Sequence, residues 1–231
     1  MEYGQMREGI FLRRINRFTA YVLLDGQEEK IHVKNTGRCK ELLLEGAKVF
    51  LEKAENKGRK TKYSLIAVYK GEVLVNMDSQ APNHIAAEAL AEGSLKEIGK
   101  VDTWRREVTY GKSRFDLYFE TGGKKGFIEV KGVTLEENGI ALFPDAPTER
   151  GTKHLQELIR AKQAGYEAAV LFVIQMDGED IKEFRPHEKR DMQFATSLQE
   201  ASAAGVKVLA YSCHVETNRI FLAEKIPVCL E

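Results

Sequence analysis

The ten residues EAAVLFVIQM, Glu167 to Met176, limit the fold more than any other stretch of the chain. A continuous apolar run, without polar alternation, marks a strand buried on both faces. Such a strand needs helices above and below its sheet, and the flanking sequence supplies them. TERGTKHLQELIRAKQAG reads as a helix with Thr148 as N-cap and Gly165 past its end. A further helix over about 189–204 leads to a second apolar strand, VKVLAY. That strand–helix–strand unit predicts a parallel, right-handed crossover. Upstream, Pro82 marks a break, and NHIAAEALAEGSLKEI reads as a helix with Asn83 as its N-cap. TWRREVTY, RFDLYF and GFIEVKG follow as three strands. From residue 83 onward the order is therefore α-β-β-β-α-β-α-β, a mixed sheet with helices on both faces.

The first 80 residues read differently. GIFLRRINRFTAYVLL has strand-like alternation with Phe11, Val22 and Leu24 as core, and Asp25-Gly26 is a hairpin turn signal. QEEKIHVKN forms the next strand. A short helix is expected around Leu42 to Leu44, then a strand at Val49 to Leu51 and a strand pair about Lys70-Gly71. About five short strands with one helix after the third is the pattern of a small closed barrel, the OB-fold. The chain thus divides into a barrel over 1–81 and an α/β domain over 82–231.

The chain has 231 residues, 43 % hydrophobic and 30 % charged, which suits one large or two modest globular domains. No apolar run approaches the roughly 20 residues of a membrane span, and the start, MEYGQMREGI, has no signal-peptide core. Cys39, Cys213 and Cys229 are odd in number and lack metal-ligand spacing, which fits a reducing, cytoplasmic setting. The scattered histidines argue against a structural zinc site, and His32, His84, His187 and His214 are expected to be structural. Residues 1–80 carry 15 Lys+Arg against 11 Asp+Glu, whereas the whole chain is neutral. A basic first part suits a polyanionic partner. Arg13, Arg14 and Arg17 of LRRINRF are expected to form its nucleic-acid face, with Phe18 in the core. The basic stretch from Lys57 to Lys62 reads as a flexible loop.

The most informative stretch for chemistry is SRFDLYFETGGKKGFIEVKG, Ser113 to Gly132. Alternation places Phe115, Leu117 and Phe119 on one face of the first strand and Asp116 on the other. On the second strand Glu129 and Lys131 oppose Ile128 and Val130. A turn centred in TGGKKG puts Asp116 opposite Lys131 and diagonal to Glu129, a crowd of two carboxylates and one ammonium. A salt-bridged sheet surface and a metal site both fit that pattern. The neighbourhood favours the second: a helix carrying Glu88 precedes the strands, and a basic helix with Lys153 and His154 follows. Asp, then Glu-x-Lys on the next strand, with an upstream helical Glu, resembles the skeleton of PD-(D/E)xK nucleases. In such a site Asp116, Glu129 and the Val130 carbonyl would ligate Mg²⁺ or Mn²⁺, and Lys131 would position or activate water. In FPDAPTERGTKHL, Asp145, Glu149 and Arg150 read equally as helix capping or, for Arg150, Lys153 and His154, as a phosphate grip.

The whole chain, from about residue 8 to 222, also resembles the sugar fermentation stimulation protein (SfsA) family. The likeness is carried by RREVTYGKSRFDLYF, IEVKGVTLEENGIALFPDAPTERGTKHLQEL, AAVLFVIQ, NTGR at 35–38, and AYSCHV. The resemblance implies an N-terminal OB-fold followed by a restriction-endonuclease-like domain of PD-(D/E)xK type, DNA (or RNA) binding, and a link to maltose utilisation. It places the nuclease pattern on Glu88, Asp116, Glu129 and Lys131 and adds Asn35 and Arg38 to the binding surface. Phe115 stands where the nuclease motif carries Pro. Metal-dependent phosphodiester hydrolysis is the expected activity, and a non-catalytic DNA-binding regulator is the rival. A sugar enzyme is poorly supported, since Trp104 is the only Trp and no second carboxylate pair stands out.

Overall fold

The structure is a computed structural model that describes residues 1–231 except Thr36 and Lys57. Six strands come first: β1 (Met6–Asn16), β2 (Thr19–Leu24), β3 (Gln27–Val33), β4 (Lys48–Lys53), β5 (Tyr63–Lys70) and β6 (Val73–Asn76). The long β1 pairs with β2 through its second half and with β4 through its first half. A parallel β3–β5 pairing then closes β1, β2, β3, β5 and β4 into a five-stranded barrel, with β6 as a sixth, outer strand. The Asp25-Gly26 turn forms as expected, both residues at positive φ, and Phe11, Val22 and Leu24 are buried. The helix expected at Leu42 to Leu44 is absent: the segment is a set of turns that buries Leu42 and leaves Leu44 59 % exposed. Three consecutive leucines suggest a helix only if several share one buried face, and here one does.

The second part comprises α1 (Ala81–Glu92), β7 (Thr103–Tyr110), β8 (Ser113–Thr121), β9 (Lys124–Val133), β10 (Leu135–Glu137), β11 (Ile140–Phe143) and α2 (Glu149–Gln163). It continues with β12 (Glu167–Ile174), β13 (Glu183–Pro186), α3 (Met192–Ala203), β14 (Lys207–Val215) and β15 (Ile220–Lys225). The main sheet runs β15-β14-β12-β9-β8-β7, with β12 central and parallel to both neighbours. Every residue of β12 after Glu167 is buried, as its apolar run requires. Ile85 and Leu90 of α1 pack on one face of the sheet, while Leu155 and Leu158 of α2 and Phe194 and Leu198 of α3 pack on the other. Thr148 caps α2, accepting from the Gly151 N–H at 3.0 Å, and Gly165 follows the helix at φ 90°. A small sheet, β10-β11-β13, and the edge strand β15 add to the expected order. No helix is long and apolar enough to cross a membrane among the described residues.

The two parts meet through buried polar groups. Gln175, just past β12, donates from Nε2 to the Asn76 carbonyl at 3.1 Å, to Asn76 Oδ1 at 3.0 Å and to the Asp78 carbonyl at 3.1 Å. The first residues cross over as well: Tyr3 N–H donates to the Asn218 carbonyl, and Glu2 bridges to Arg219. The segment before β1 thus pairs with the second part, although it precedes the barrel in sequence.

Candidate active site

The β8–β9 hairpin turns on Gly122-Gly123, at φ 53° and 77°, a backbone that non-glycine residues rarely adopt. Thr121 pairs with Lys124 and the ladder runs back to Leu117↔Ile128. Continued one step, this register sets Asp116 against Glu129, not against Lys131 as a turn centred on the whole TGGKKG would have it. The ladder stops there because a side chain takes over. Asp116 Oδ2 accepts from the Val130 N–H at 2.8 Å, and Oδ1 accepts from Asn83 Nδ2, on α1, at 2.9 Å. Strand alternation also breaks at this point. Leu117 and Phe119 pack with the α1-side cluster, but Phe115 joins Phe127 beneath α2, their rings 5.1 Å apart. The single apolar face expected for Phe115, Leu117 and Phe119 is therefore split at Asp116.

Glu129 is 2 % exposed. Its Oε1 accepts from Lys131 Nζ at 2.6 Å and pairs with His154 Nδ1 on α2. Its Oε2 is buried with no hydrogen-bond partner. Burial works to raise the Glu129 carboxyl, but the His154 and Lys131 hydrogen bonds outweigh it and hold it below the ordinary range. Asp116 moves the other way. Burial, then the neighbouring Glu129 charge, push it up, against the opposing bonds from Val130 and Asn83. Two adjacent carboxyls driven apart in this way are a common mark of a working site.

An orphaned carboxylate oxygen beside a second carboxyl that burial pushes up is a poor resting arrangement for protein alone and a good one for a divalent cation. Mg²⁺ and Mn²⁺ take oxygen donors and retain several waters, so two carboxylates suffice. Among the described residues no group of three or more His, Cys, Asp or Glu is arranged as a metal cage. Asp116 and Glu129 Oε2 are the two carboxylate donors this corner could offer such a cation.

α2 holds the other side. Gly151, His154, Leu155, Leu158 and Ala161 form its buried stripe, at the three- and four-residue spacing of one helix face. His154 is only 5 % exposed and is spent on Glu129, so it does not reach out to grip phosphate as one sequence reading had it. That stripe was visible in the sequence and is the signal that would have placed it. Arg150, one turn before His154 on the same side of α2, is exposed. Lys153 is exposed too, and donates to the Lys112 carbonyl in the β7–β8 turn at 3.2 Å.

Glu88 is not part of the cluster. It is five residues beyond Asn83, about 140° around the helix, and pairs with the Met1 ammonium at 2.8 Å. The α1 residue that meets the carboxylates is Asn83. The sequence suggests Asn83 as the cap, but the helix starts three residues earlier, with Gln80 as N-cap and no side-chain capping bond. Its neighbour His84 lies 3.4 Å from Arg106 of β7, an exposed cation that the sequence does not single out.

On the barrel, Arg13 forms a two-point ion pair with Glu28 at 2.6 and 2.8 Å and lies over the Tyr21 ring. Arg14 donates to five backbone carbonyls: those of Asn16, Arg17, Asn35, Gly37 and Arg38. Asn35 likewise closes its own loop, donating to the Met77 carbonyl and accepting from the Gly37 N–H. Arg14 and Asn35 are thus framework rather than free phosphate ligands. Arg17 and Arg38 are exposed. Phe18 is 53 % exposed and stacked on His32 instead of lying in the core. The basic loop expected over 57–62 begins at Lys57, which lies outside the described residues.

Known proteins match both parts. Residues 12–77 match the SfsA N-terminal OB domain, and residues 80–219 match the sugar fermentation stimulation protein RE domain. A sugar fermentation stimulation protein homolog from Alkaliphilus oremlandii is 55 % identical, over 99 % of this chain and 98 % of its own. One from Desulfitobacterium hafniense is 53 % identical, over 100 % and 99 %. The solved structure of Pyrococcus furiosus SfsA in complex with Ca²⁺ superposes with a TM-score of 0.88 at 29 % identity, covering 99 % of this chain and 98 % of that one.

Proposed function

The chain belongs to the sugar fermentation stimulation protein family, and from that premise we propose that it binds nucleic acid and hydrolyses phosphodiester bonds with a divalent cation held at Asp116 and Glu129. The observation that carries this reading is the buried, partnerless Glu129 Oε2 beside Asp116. The Ca²⁺ complex of the Pyrococcus furiosus neighbour supports a hard divalent cation in this fold. When bound, Mg²⁺ or Mn²⁺ would supply the positive charge that offsets charge developing on the phosphate.

The chain's own groups have separable tasks. His154 and Lys131 both bind Glu129 Oε1, which fixes the carboxylate and leaves Oε2 without a protein partner. Asn83 and the Val130 N–H fix Asp116 in the same way, each carboxylate oxygen keeping a second lone pair for another partner. Lys131 sets a half-buried ammonium next to the carboxylates, where it can orient the attacking water or stabilise a phosphate oxygen. Arg150 and Arg106 add cations at the rim, and Arg17 and Arg38 extend the basic surface onto the barrel.

The test is a panel of single- and double-stranded DNA and RNA incubated with the full chain and Mn²⁺ or Mg²⁺. At least one substrate should be nicked or degraded, and both EDTA and Asp116→Ala should abolish the cleavage. If every substrate stays intact with excess Mn²⁺, the enzyme reading is wrong and the same surface is that of a non-catalytic DNA-binding regulator.

A further inference from the structure

Beside the loop that Arg14 ties down, a cleft of about 510 Å³ opens between the β1–β2 turn, residues 37–43 and Ala146 of the second part. Its apolar lining is Ile15, Leu43 and Ala146, and its cationic lining includes Arg17, Arg38 and Lys40. Those three cations are exposed, and no ion pair ties them down among the described residues. Ile15 is itself 55 % exposed. At the tip of the same turn the Phe18 ring runs nearly parallel to His32, the planes 13° and the centroids 6.4 Å apart, and more than half of Phe18 is exposed. A large aliphatic and a large aromatic side chain held out on a five-carbonyl anchor do nothing for the barrel core.

The cleft is not isolated. Gly37 lines it and also lines a second, smaller cleft whose other walls include Gly132, Asp145 and Gln175. Gly132 directly follows Lys131. Asp145 and Ala146 are likewise neighbours in sequence, one in each cleft. The two clefts therefore adjoin at Gly37, and the smaller one is walled by the residue that follows Lys131.

Resting on the nuclease reading, we propose that this cleft and the turn beside it take a single-stranded segment of polynucleotide, its unpaired bases stacking on Phe18 and Ile15 and its phosphates against Arg17, Arg38 and Lys40. The mixture of chemistry decides the occupant. Phosphates alone would need only the cations, and a paired duplex hides its base faces. Exposed ring and aliphatic surface interleaved with arginine and lysine matches a strand whose bases are free. The substrate of the site is accordingly a single strand, or a duplex with a single-stranded tail.

The experiment is fluorescence anisotropy on the full chain, with Ca²⁺ present to suppress turnover, against a labelled oligo-dT of about 15 nucleotides and a blunt duplex of the same length. Wild type should bind oligo-dT more tightly than duplex. The double variant Ile15→Ser/Phe18→Ala should lose roughly tenfold or more on oligo-dT and little on duplex. Both side chains are exposed, so the variant should fold, and Phe18→Trp should keep the single-strand affinity. Equal loss on both probes, or no loss on oligo-dT, overturns the proposal. If Mn²⁺-dependent cleavage persists in that case, the nuclease reading stands without it. If neither probe binds and neither is cut, both fall. If the double variant instead only abolishes self-association, seen by light scattering, the patch is a contact between copies of this chain and the proposal is wrong.

Discussion

At the scale of single residues, the central pair is Asp116 and Glu129, and their surroundings push them in opposite directions. The raised Asp116 means that the folded chain, without metal, resists its ionisation. A group raised on folding contributes stability while protonated, and that contribution is lost as pH rises through its folded range. Metal-free wild type should therefore lose ground to Asp116→Asn as pH rises from about 4 toward neutrality, since the amide never ionises and Asn83 can flip its own amide to keep the bond. Thermal melts across that range measure the difference, and a constant gap would show that Asp116 is not strained by its charge. Glu129 has the opposite sign: its stabilisation is present above the ordinary carboxylate range and fades as pH falls. The types of these residues were legible in the sequence, as was their shared face. Their pairing was not, because it hangs on which two residues of TGGKKG make the turn. His154 and Asn83 were visible as residues but misassigned, since a partner 25 or 33 positions away leaves no local trace.

At the scale of elements, the barrel's binding edge depends on one side chain. Arg14 spans β1, the turn after it and the 35–38 loop through its five carbonyl bonds. Arg14→Ala should cost about 2 kcal/mol, and Arg14→Lys should not restore it, because an ammonium lacks the planar fork that reaches several carbonyls at once. Arg13→Ala, which removes only an exposed ion pair with Glu28, should change stability little. Denaturant melts of the three variants give the comparison, and equal effects for Arg13 and Arg14 would contradict the anchor role. The same geometry changes what salt dependence should report. Arg17→Ala and Arg38→Ala should each flatten the slope of log affinity against log salt by about 0.9 on duplex DNA, whereas Arg14 acts through the loop. Three arginines in five residues looked alike in sequence; only the carbonyls around them tell a ligand from a strut. The β10–β11 hairpin was legible and overlooked: Asn138-Gly139 is a hairpin turn signal and takes φ 55° and 83°. The leucine run at 42–44 misled in the other direction, its expected helix giving way to turns.

At the scale of the whole molecule, the two parts act as one because their seam is polar, buried and satisfied. Gln175, Asn76 and Asp78 are 2 %, 1 % and 0 % exposed, and Lys34 ties Asp78 to Glu52 at 3.0 and 3.1 Å. Gln175 also lies so close to Gly132 that a Cβ there would fall 2.6 Å from its Oε1. The residue after Lys131 is thus braced against the seam, which links the barrel's position to the chemistry. Gln175→Leu strands buried acceptors and should cost about 2 kcal/mol, lowering the melting temperature by roughly 4–8 °C for a chain of this size. Calorimetry should show the single transition broadening or splitting; an unchanged, single transition would mean that the seam does not couple the parts. The sequence carried the order of the two parts and the sheet's central strand, because length, periodicity and turns are local. It did not carry the seam, whose partners are about 100 positions apart.

The most direct measurement is anomalous diffraction at the manganese edge from crystals of the full chain soaked in Mn²⁺. The account predicts a peak at ordinary oxygen-ligand distance, about 2.0–2.3 Å, from Asp116 and from Glu129 Oε2, and its loss in Glu129→Gln. Density at other acidic groups with none between these two carboxylates would contradict it, and the hairpin would then be a salt-bridged sheet face.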